Sequence, residues 1–345
     1  MKRIIICCDG TWNKPDKKNP TNVIKLARAV LPTAPDGTSQ IVFYDEGVGT
    51  GPGLDHLLGG MFGSGLEKNI GDAYRFLIHN YEDGDQIWLF GFSRGAFTAR
   101  STAGLLRNSG LLQKIHADKF KCAFKLYRRR DVKPKSETAV KFRQEFARDV
   151  DIHFLGVWDT VGARGIPGAL LGKVRSARYQ FHDVSLSKYV KNGYHAMAID
   201  ERRRPFMPSP WKRPAKPGQH IEQVWFAGAH SDVGGGYPDS SLSALSFQWM
   251  REKAGDCGLV FDDAYLKGLP VPDGKGKLHD SMKLYFRLLV PFKRKISTEQ
   301  AEYQSVHPDV VSRYNDDALS YRPDNLITYL SDPKHKVAKV KKSEK

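Results

Sequence analysis

The stretch Gln86–Thr98, QIWLFGFSRGAFT, decides the fold of this chain. Its first half is an apolar run that predicts a buried strand, and the small residues that follow predict a helix. Between the two, Gly91 and Gly95 leave room for a tight strand-to-helix turn with Ser93 at its apex. Such a turn holds the serine hydroxyl where a substrate carbonyl can reach it, which an ordinary surface turn does not do. We therefore interpret the stretch as a nucleophile elbow.

Apolar runs alternate with helix-like segments on both sides of this stretch. The runs typical of buried strands lie at residues 4–8, 41–44, 152–157 and 222–226. This alternation predicts an α/β fold in which a mostly parallel central sheet is flanked by helices. Two segments, 112–150 and 163–220, predict helical insertions, and the second includes a helix over 187–200. We expect residues 1–333 to form a single catalytic domain and the basic segment 334–345 to be a disordered tail.

Three reactive side chains follow predicted strands in the order Ser93, Asp159, His230. The carboxyl ends of parallel strands meet at one edge of the sheet, so we expect these side chains to lie close together. A histidine can take the proton of a serine hydroxyl, and a buried carboxylate can fix the imidazole tautomer. The order serine, acid, histidine is that of α/β-hydrolases. The sequence thus predicts an α/β-hydrolase-like fold with a catalytic triad, although Asp159 could instead cap the turn that follows its strand.

Three other residues are alternatives for two members of this triad. Asp232 is the alternative acid. His195 is an alternative base that we expect on a helix. His307 is another, if the last strand of the sheet is the weaker apolar run at 284–290.

Backbone groups beside Ser93 are expected to stabilise the oxyanion of an acyl transfer. The amide of Arg94 is the expected donor, because it begins the helix whose dipole favours negative charge near Ser93. Gly10 and Thr11 follow the first strand and are expected to form a wall of the site. The glycine-rich segment 47–65 lacks the spacing of dinucleotide-binding loops, so a lid or oxyanion loop is favoured over phosphate binding. No cofactor is expected for this chemistry.

A metal-dependent phosphoesterase is a second interpretation of the same strand ends. Asp9, Asp159, His230 and Asp232 could together offer hard oxygen ligands and one imidazole to a divalent cation. Carboxylates at strand ends also arise simply as caps, which favours the metal-independent interpretation.

The charge of the chain predicts attraction to polyanions. There are 54 Lys and Arg residues against 38 Asp and Glu, a formal net charge of +16. Much of the excess lies in clusters at residues 128–130, 202–204, 211–213, 292–295 and 334–345. These clusters could hold the protein to an anionic membrane surface. A non-catalytic polyanion-binding protein is a third interpretation, but aromatic residues are sparse in the clusters, so no specific nucleic acid partner is expected.

The amino terminus carries no sign of a targeting signal. The first apolar run is stopped by Asp9 and is too short for a signal peptide. No run of about 18 apolar residues could span a bilayer. We expect a protein that is cytoplasmic as synthesised, although a secretion system that reads no N-terminal signal could export it. The sequence does not set the oligomeric state.

Five blocks of the sequence together resemble a known family. They are CDGTWN (8–13), GFSRGA (91–96), GVWDTVG (156–162), HAMAIDERR (195–203) and WFAGAHSDVGGGY (225–237). The chain resembles the uncharacterised α/β-hydrolase family that includes the catalytic domains of type VI secretion phospholipase effectors. This resemblance implies a serine esterase or lipase whose substrate is an ester, with phospholipid acyl esters as the best-known substrates of the family. Ser93 matches the elbow serine of the family, whereas the roles of Asp159 and His230 come from the strand-end argument above.

Overall fold

A parallel β-sheet lies at the centre of the structure. The computed structural model describes residues 1–10, 13, 16–47, 60–162, 186–212, 214–282 and 290–341, with the backbone alone for 60–64. The strands are β1 (Arg3–Cys8), β2 (Gln40–Asp45), β3 (Gln86–Phe92), β4 (Leu111–Leu112), β5 (Ala147–Arg148), β6 (Ile152–Trp158), β7 (Val190–Ala198), β8 (His220–Phe226) and β9 (Gln304–Val306). Within the described residues, seven of them form the central sheet in the order β2-β1-β3-β6-β7-β8-β9, with every neighbouring pair parallel. Strands β4 and β5 pair antiparallel with each other.

Helices surround this sheet. They are α1 (Asn22–Ala29), α2 (Gly60–Asn80), α3 (Arg94–Ser109), α4 (Phe120–Arg128), α5 (Glu137–Phe146), α6 (His230–Gly234), α7 (Ser241–Asp256), α8 (Asp263–Lys267), α9 (Pro308–Asn315) and α10 (Asp324–Ser331). Short 3-10 helices lie at Lys114–Lys119, Arg204–Phe206, Gln300–Glu302 and Asp317–Leu319. Among the helices that the structure describes, none combines the length and the apolar character needed to cross a bilayer.

The pleat of β1 shows why helices pack on both faces of the sheet. Ile4 and Ile6 lie in the apolar core formed with α2 and α3, whereas Ile5 and Cys7 lie in the core formed with α1 and α7. Successive side chains of a strand point to opposite faces, so a strand covered on both faces must be apolar along its length. All six residues of β1 are buried. The parallel sheet between two helical layers confirms the predicted α/β-hydrolase-like fold.

The helix predicted over 187–200 is wrong. Residues Val190–Ala198 form β7, which lies between β6 and β8 in the sheet. A short apolar run does not distinguish a strand from a helix by periodicity, and here pairing with two neighbouring strands decides the outcome. Part of the segment 163–220 is therefore central to the sheet rather than inserted into it. Residues 163–185 lie outside the described part of the chain.

The disordered tail predicted at 334–345 is also wrong for its described part. The amide of Val306 donates to the carbonyl of Lys336 at 3.0 Å, and the amide of Ala338 donates to the carbonyl of Val306 at 2.8 Å. Strand β9 lies at the edge of the sheet and offers unpaired backbone groups, which the returning chain satisfies. Residues 342–345 lie outside the described part, and so does the strand predicted at 284–290 apart from its last residue. The single catalytic domain with an insertion at 112–150 stays a prediction.

Candidate active site

Ser93 occupies a strained turn between β3 and α3. Its backbone angles are φ 59° and ψ −120°, in a region that serine rarely adopts. A Cβ atom on Gly91 would lie 2.5 Å from the carbonyl oxygen of Gly95, and one on Gly95 would lie 2.1 Å from that of Cys8. Only glycine fits at these two positions, because the backbones approach so closely. The turn is therefore tight and strained at Ser93, and its role as a nucleophile elbow stays a prediction.

Asp159 and His230 form a short contact at the same edge of the sheet. Asp159 directly follows β6, and His230 begins α6 shortly after β8. The distance from His230 Nδ1 to Asp159 Oδ2 is 2.5 Å, so the imidazole and the carboxylate are hydrogen-bonded. Both side chains are buried, and Asp159, like Ser93, has a positive φ, of 38°. Strain at both positions is the pattern that functional sites show.

Ser93 is joined to this pair through its neighbours in the chain. Its amide donates to the carbonyl of Trp158, the residue before Asp159, at 3.0 Å. The ring of Phe92 packs against the imidazole of His230 with 4.6 Å between centroids. Within the described part of the chain no hydrogen bond joins Ser93 Oγ to His230. Such bonds are often long in sites without substrate and tighten when substrate binds.

Arg294 is a fourth member of the site that sequence reasoning missed. Its guanidinium donates from Nη1 to Asp159 Oδ1 at 2.6 Å and from Nη2 to Asp159 Oδ2 at 2.9 Å. The sequence places Arg294 in a basic cluster at 292–295, but its side chain is fully buried. A signal was present in the sequence: Phe292, Arg294 and Ile296 alternate with two lysines, a period of two that places them on one side of an extended segment.

These contacts set the protonation states of the pair. Burial alone would raise the pKa of Asp159, but the Arg294 guanidinium and the hydrogen bond from His230 outweigh it and hold that pKa well below its usual range. Burial lowers the pKa of His230, against the opposing effect of Asp159. Near neutral pH the carboxylate is therefore charged and the imidazole neutral, which is the state that a general base requires.

Glu201 and Phe206 also hold His230 in place. Glu201 is buried, and its Oε2 accepts hydrogen bonds from the amide of His230 at 3.2 Å and from Nη2 of Arg203 at 2.7 Å. The ring of Phe206 lies edge-on to the imidazole, with 4.9 Å between the ring centroids. The ring of Phe92, by contrast, is tilted relative to the imidazole. Glu201 belongs to the block HAMAIDERR, and Phe206 follows it. The sequence predicts no specific role for either residue.

Gly10, which the sequence predicts as a wall of the site, lies beside Ser93. A Cβ atom on Gly10 would lie 3.2 Å from Cβ of Ser93. The amide of Gly10 donates to Asp9 Oδ1 at 2.6 Å, so it is engaged with that carboxylate. Thr11 and most of the glycine-rich segment 47–65 lie outside the described residues.

Arg94 is the first residue of α3, directly after Ser93. Its amide therefore lies at the positive, N-terminal end of the helix dipole. Burial lowers the pKa of its guanidinium to about 10. The role of its amide as an oxyanion donor stays a prediction.

The alternative acid and one alternative base have other partners. Asp232 Oδ1 lies 2.6 Å from Nδ1 of His279, and its Oδ2 accepts from the amide of Ala229 at 2.9 Å. His307 caps α9, where its Nδ1 accepts from the amide of Asp309 at 3.4 Å. In the described part of the chain, neither residue forms a hydrogen bond or ion pair with the side chain of Asp159 or His230.

The other alternative base, His195, lies on β7 and not on the predicted helix. It is fully buried, and its Nε2 accepts from the amide of Thr160 at 3.1 Å. Burial, with the nearby charge of Arg100, lowers the pKa of His195 to about 3. The imidazole thus fixes the backbone just after Asp159 and stays neutral.

The four alternative metal ligands do not converge on one point. Asp9 accepts hydrogen bonds from Gly10, from Thr21 at 2.7 Å and from Tyr44 at 2.8 Å. Asp159 and His230 are bonded to each other, and Asp232 is bonded to His279 and to the amide of Ala229. Among the described residues no group of three or more His, Cys, Asp or Glu side chains could hold a metal ion.

The basic clusters are less exposed and less cationic than their sequences suggest. Trp211 is buried, like Arg294, and Arg213 lies outside the described residues. Several of the arginines form ion pairs at the surface. These pairs are Arg128–Glu67, Arg129–Asp131 and Arg202–Asp280.

Comparison with known proteins identifies the family. A family model described as "T6SS, Phospholipase effector Tle1-like, catalytic domain" matches residues 2–253. The chain belongs to this family. Ser93, Asp159 and His230 lie within the part that matches the Tle1-like model, whereas His279 and Arg294 lie beyond its end at residue 253.

The chain is similar to parts of longer proteins. The uncharacterized protein YEL023C of Saccharomyces cerevisiae is 34% identical over 228 residues, which cover 59% of this chain and 32% of the yeast protein. A crystal structure of an uncharacterized protein from Pseudomonas aeruginosa has 17% identity and a TM-score of 0.46, and the match covers 79% of this chain and 49% of that chain. The structure of the Tle1 effector bound to the VgrG spike from the type 6 secretion system has 19% identity and a TM-score of 0.43, covering 69% of this chain and 52% of that chain. This chain spans only part of the length of each relative.

Proposed function

We propose that this protein is a serine hydrolase that cleaves carboxylic esters of lipids through an acyl-enzyme on Ser93. The observation that carries the proposal is the 2.5 Å contact between His230 Nδ1 and Asp159 Oδ2, beside the strained turn at Ser93. Membership in a family of phospholipase effector catalytic domains supports phospholipid acyl esters as the substrate class.

In the proposed reaction, Ser93 Oγ attacks the acyl carbonyl carbon while His230 Nε2 takes the hydroxyl proton. Asp159 holds the other imidazole nitrogen, which fixes the tautomer and stabilises the imidazolium that forms. The oxyanion of the tetrahedral intermediate develops near the amide of Arg94 and the start of α3. The intermediate then expels the alcohol, which receives the proton from His230. Water next attacks the acyl-enzyme with His230 as the base, releasing the fatty acid and restoring Ser93.

The surroundings of His230 suit an apolar substrate. Phe92 and Phe206 pack against the imidazole, and Met207, directly after Phe206, keeps 44% of its surface exposed. Apolar side chains next to the reacting group favour esters of apolar acyl chains over esters of polar acids. The basic surface would favour lipid that is presented in an anionic membrane.

A labelling experiment tests this proposal directly. The purified protein is treated with a fluorophosphonate probe, and the labelled peptide is mapped. In parallel, fatty acid release is measured from phosphatidylglycerol vesicles, with and without a chelator. We expect the label on Ser93, no effect of the chelator, and a loss of at least about 1,000-fold in kcat for Ser93→Ala.

Ser231→Ala is the matched control, since it removes a second serine hydroxyl next to His230 and should keep both labelling and turnover. Full activity in Ser93→Ala, or a label elsewhere, would contradict the proposal. Cleavage of a phosphoester bond of the lipid without release of fatty acid, lost with the chelator and unaffected by the probe, would favour the phosphoesterase interpretation instead.

A further inference from the structure

We propose that Arg294 is a positioning residue for acyl transfer, which fixes the carboxylate of Asp159 and keeps His230 in its neutral, proton-accepting form. This inference rests on the serine hydrolase function proposed above. It assigns a catalytic contribution to a segment that lies beyond the family match, which ends at residue 253.

The first argument is geometric. Each oxygen of Asp159 accepts one N–H of the Arg294 guanidinium, at 2.6 and 2.9 Å, so the two planar groups are held in one orientation. Asp159 Oδ1 also accepts from the amide of Ala198 at 3.0 Å, which leaves Oδ2 directed at His230. Two fixed bonds to Arg294 therefore determine where the third partner, His230, must lie.

The second argument is the position of Arg294 between three parts of the site. Its Nη1 also donates to the carbonyl of Ala198 at 2.8 Å, and its Nη2 donates to the carbonyl of Phe206 at 2.5 Å. Phe206 is the residue whose ring packs against His230. One side chain thus links the acid, the end of β7 and the aromatic wall of the histidine. It also compensates for the strained backbone of Asp159, which has a φ of 38°.

The third argument is electrostatic. Asp159 and Arg294 are both fully buried and together carry no net charge. Protonation of His230 therefore adds a positive charge beside a neutral pair, whereas without Arg294 it would neutralise a lone buried carboxylate. Removing Arg294 should raise the proton affinity of the Asp159–His230 pair, and the pair would then bind a proton at higher pH.

Other charged groups near His230 leave this balance to Arg294. Glu201 and Arg203 face His230 from the loop after β7, but they form an ion pair with each other at 2.7 Å. His195 faces Asp159 from β7, and its pKa of about 3 makes it neutral in the working range.

Three variants test the inference, each measured for kcat and KM from pH 5 to pH 9 on phosphatidylglycerol vesicles. Arg294→Gln removes the charge and one half of the fork. Arg294→Lys keeps the charge but cannot bind both oxygens in the same way. Lys141→Gln removes a charge from a residue outside the basic clusters, whose side chain is 71% exposed, and serves as the control.

We expect Arg294→Gln to lower kcat about 100-fold with a smaller change in KM, as for a misplaced catalytic group. Its acid limb of kcat/KM should move up by about one pH unit. Arg294→Lys should keep the acid limb in place and lose about tenfold in kcat. Lys141→Gln should match the wild type.

The inference is overturned if Arg294→Gln keeps the wild-type kcat and acid limb, or if Arg294→Lys keeps full kcat. Lower activity that follows only a lower folded fraction in circular dichroism, with an unmoved acid limb, would show a purely structural role and also overturn it. If Arg294→Gln does not fold, Arg294→Lys decides, because a tenfold loss in fully folded protein supports the inference and full activity refutes it.

Fluorophosphonate labelling of the wild type separates this test from that of the proposed function. An unlabelled Ser93 would refute the serine hydrolase, and the role of Arg294 with it. A labelled Ser93 together with an unaffected Arg294→Gln would refute only the role of Arg294.

Discussion

The buried ion pair between Asp159 and Arg294 predicts a strongly non-additive effect on stability. Asp159→Asn leaves a guanidinium without its counter-charge, and Arg294→Gln leaves a carboxylate without its own, with both side chains 0% exposed. Removing one partner of such a pair costs about 3–5 kcal/mol of unfolding free energy. The double variant instead buries two neutral amides that can hydrogen-bond to each other, so we expect it to lose about 2 kcal/mol in total.

The coupling energy follows from these values. Two single losses of about 4 kcal/mol each sum to about 8 kcal/mol, so the double variant should be about 6 kcal/mol more stable than additivity allows. Activity should behave differently. The double variant regains stability but still lacks the carboxylate that orients His230, and its kcat should stay about 10,000-fold below that of the wild type.

Urea unfolding followed by tryptophan fluorescence measures the cycle, since Trp158 adjoins Asp159 in the chain. Equal m-values across the four proteins show that the comparison is valid. The surface pair Lys293–Asp324, with side chains 72% and 69% exposed, provides a matched control cycle. Its coupling should be far smaller than that of the buried pair, because both charges are solvated. Additive losses for Asp159 and Arg294, like those of the surface pair, would refute the buried pairing.

Three further changes give separate tests. Gly234→Ala places a Cβ atom 1.9 Å from the ring of Phe92, which packs on His230, so we expect a loss of about 1–3 kcal/mol in stability and a lower kcat in the esterase assay. Gly255→Ala, on α7 with open space around it, should instead stabilise the protein by about 0.5–1 kcal/mol in urea unfolding; a loss like that of Gly234→Ala would contradict the steric explanation. Burial, with the nearby charge of Asp72, raises the pKa of Asp45 from 3.8 to about 7. Folding therefore favours the protonated carboxyl group. The stability that this form gives to the folded protein is lost as the pH rises toward 7. Asp45→Asn should equal the wild type at pH 4 and exceed it by about 2 kcal/mol at pH 8, after a discount for partial exposure; equal stabilities at pH 8 would refute this.

The sequence determined the elements whose causes are local. The turn at Ser93 lies between Gly91 and Gly95, and a Cβ atom on Gly91 would meet the carbonyl of Gly95 within those five residues, whereas one on Gly95 would meet the carbonyl of Cys8 on β1. The apolar runs of the sheet and their alternation with helices are likewise local patterns, and they were sufficient to predict the fold class. Where a short apolar run was ambiguous, as at Val190–Ala198, pairing with distant strands decided between strand and helix.

Only the tertiary structure decided which reactive side chains meet. His230 lies two residues from Asp232 in the chain, yet its imidazole contacts Asp159, 71 residues away, because Asp232 is bonded to His279 and to the amide that precedes α6. Arg294 comes from 135 residues beyond Asp159 and is distinguished from the lysines beside it only by the direction of its side chain. Periodicity records which face of an element is buried, but not which element will cover it. The strained turn at Ser93 was therefore predictable from the sequence, whereas the partner of His230 and the cation behind that partner depended on how the packed elements direct their side chains.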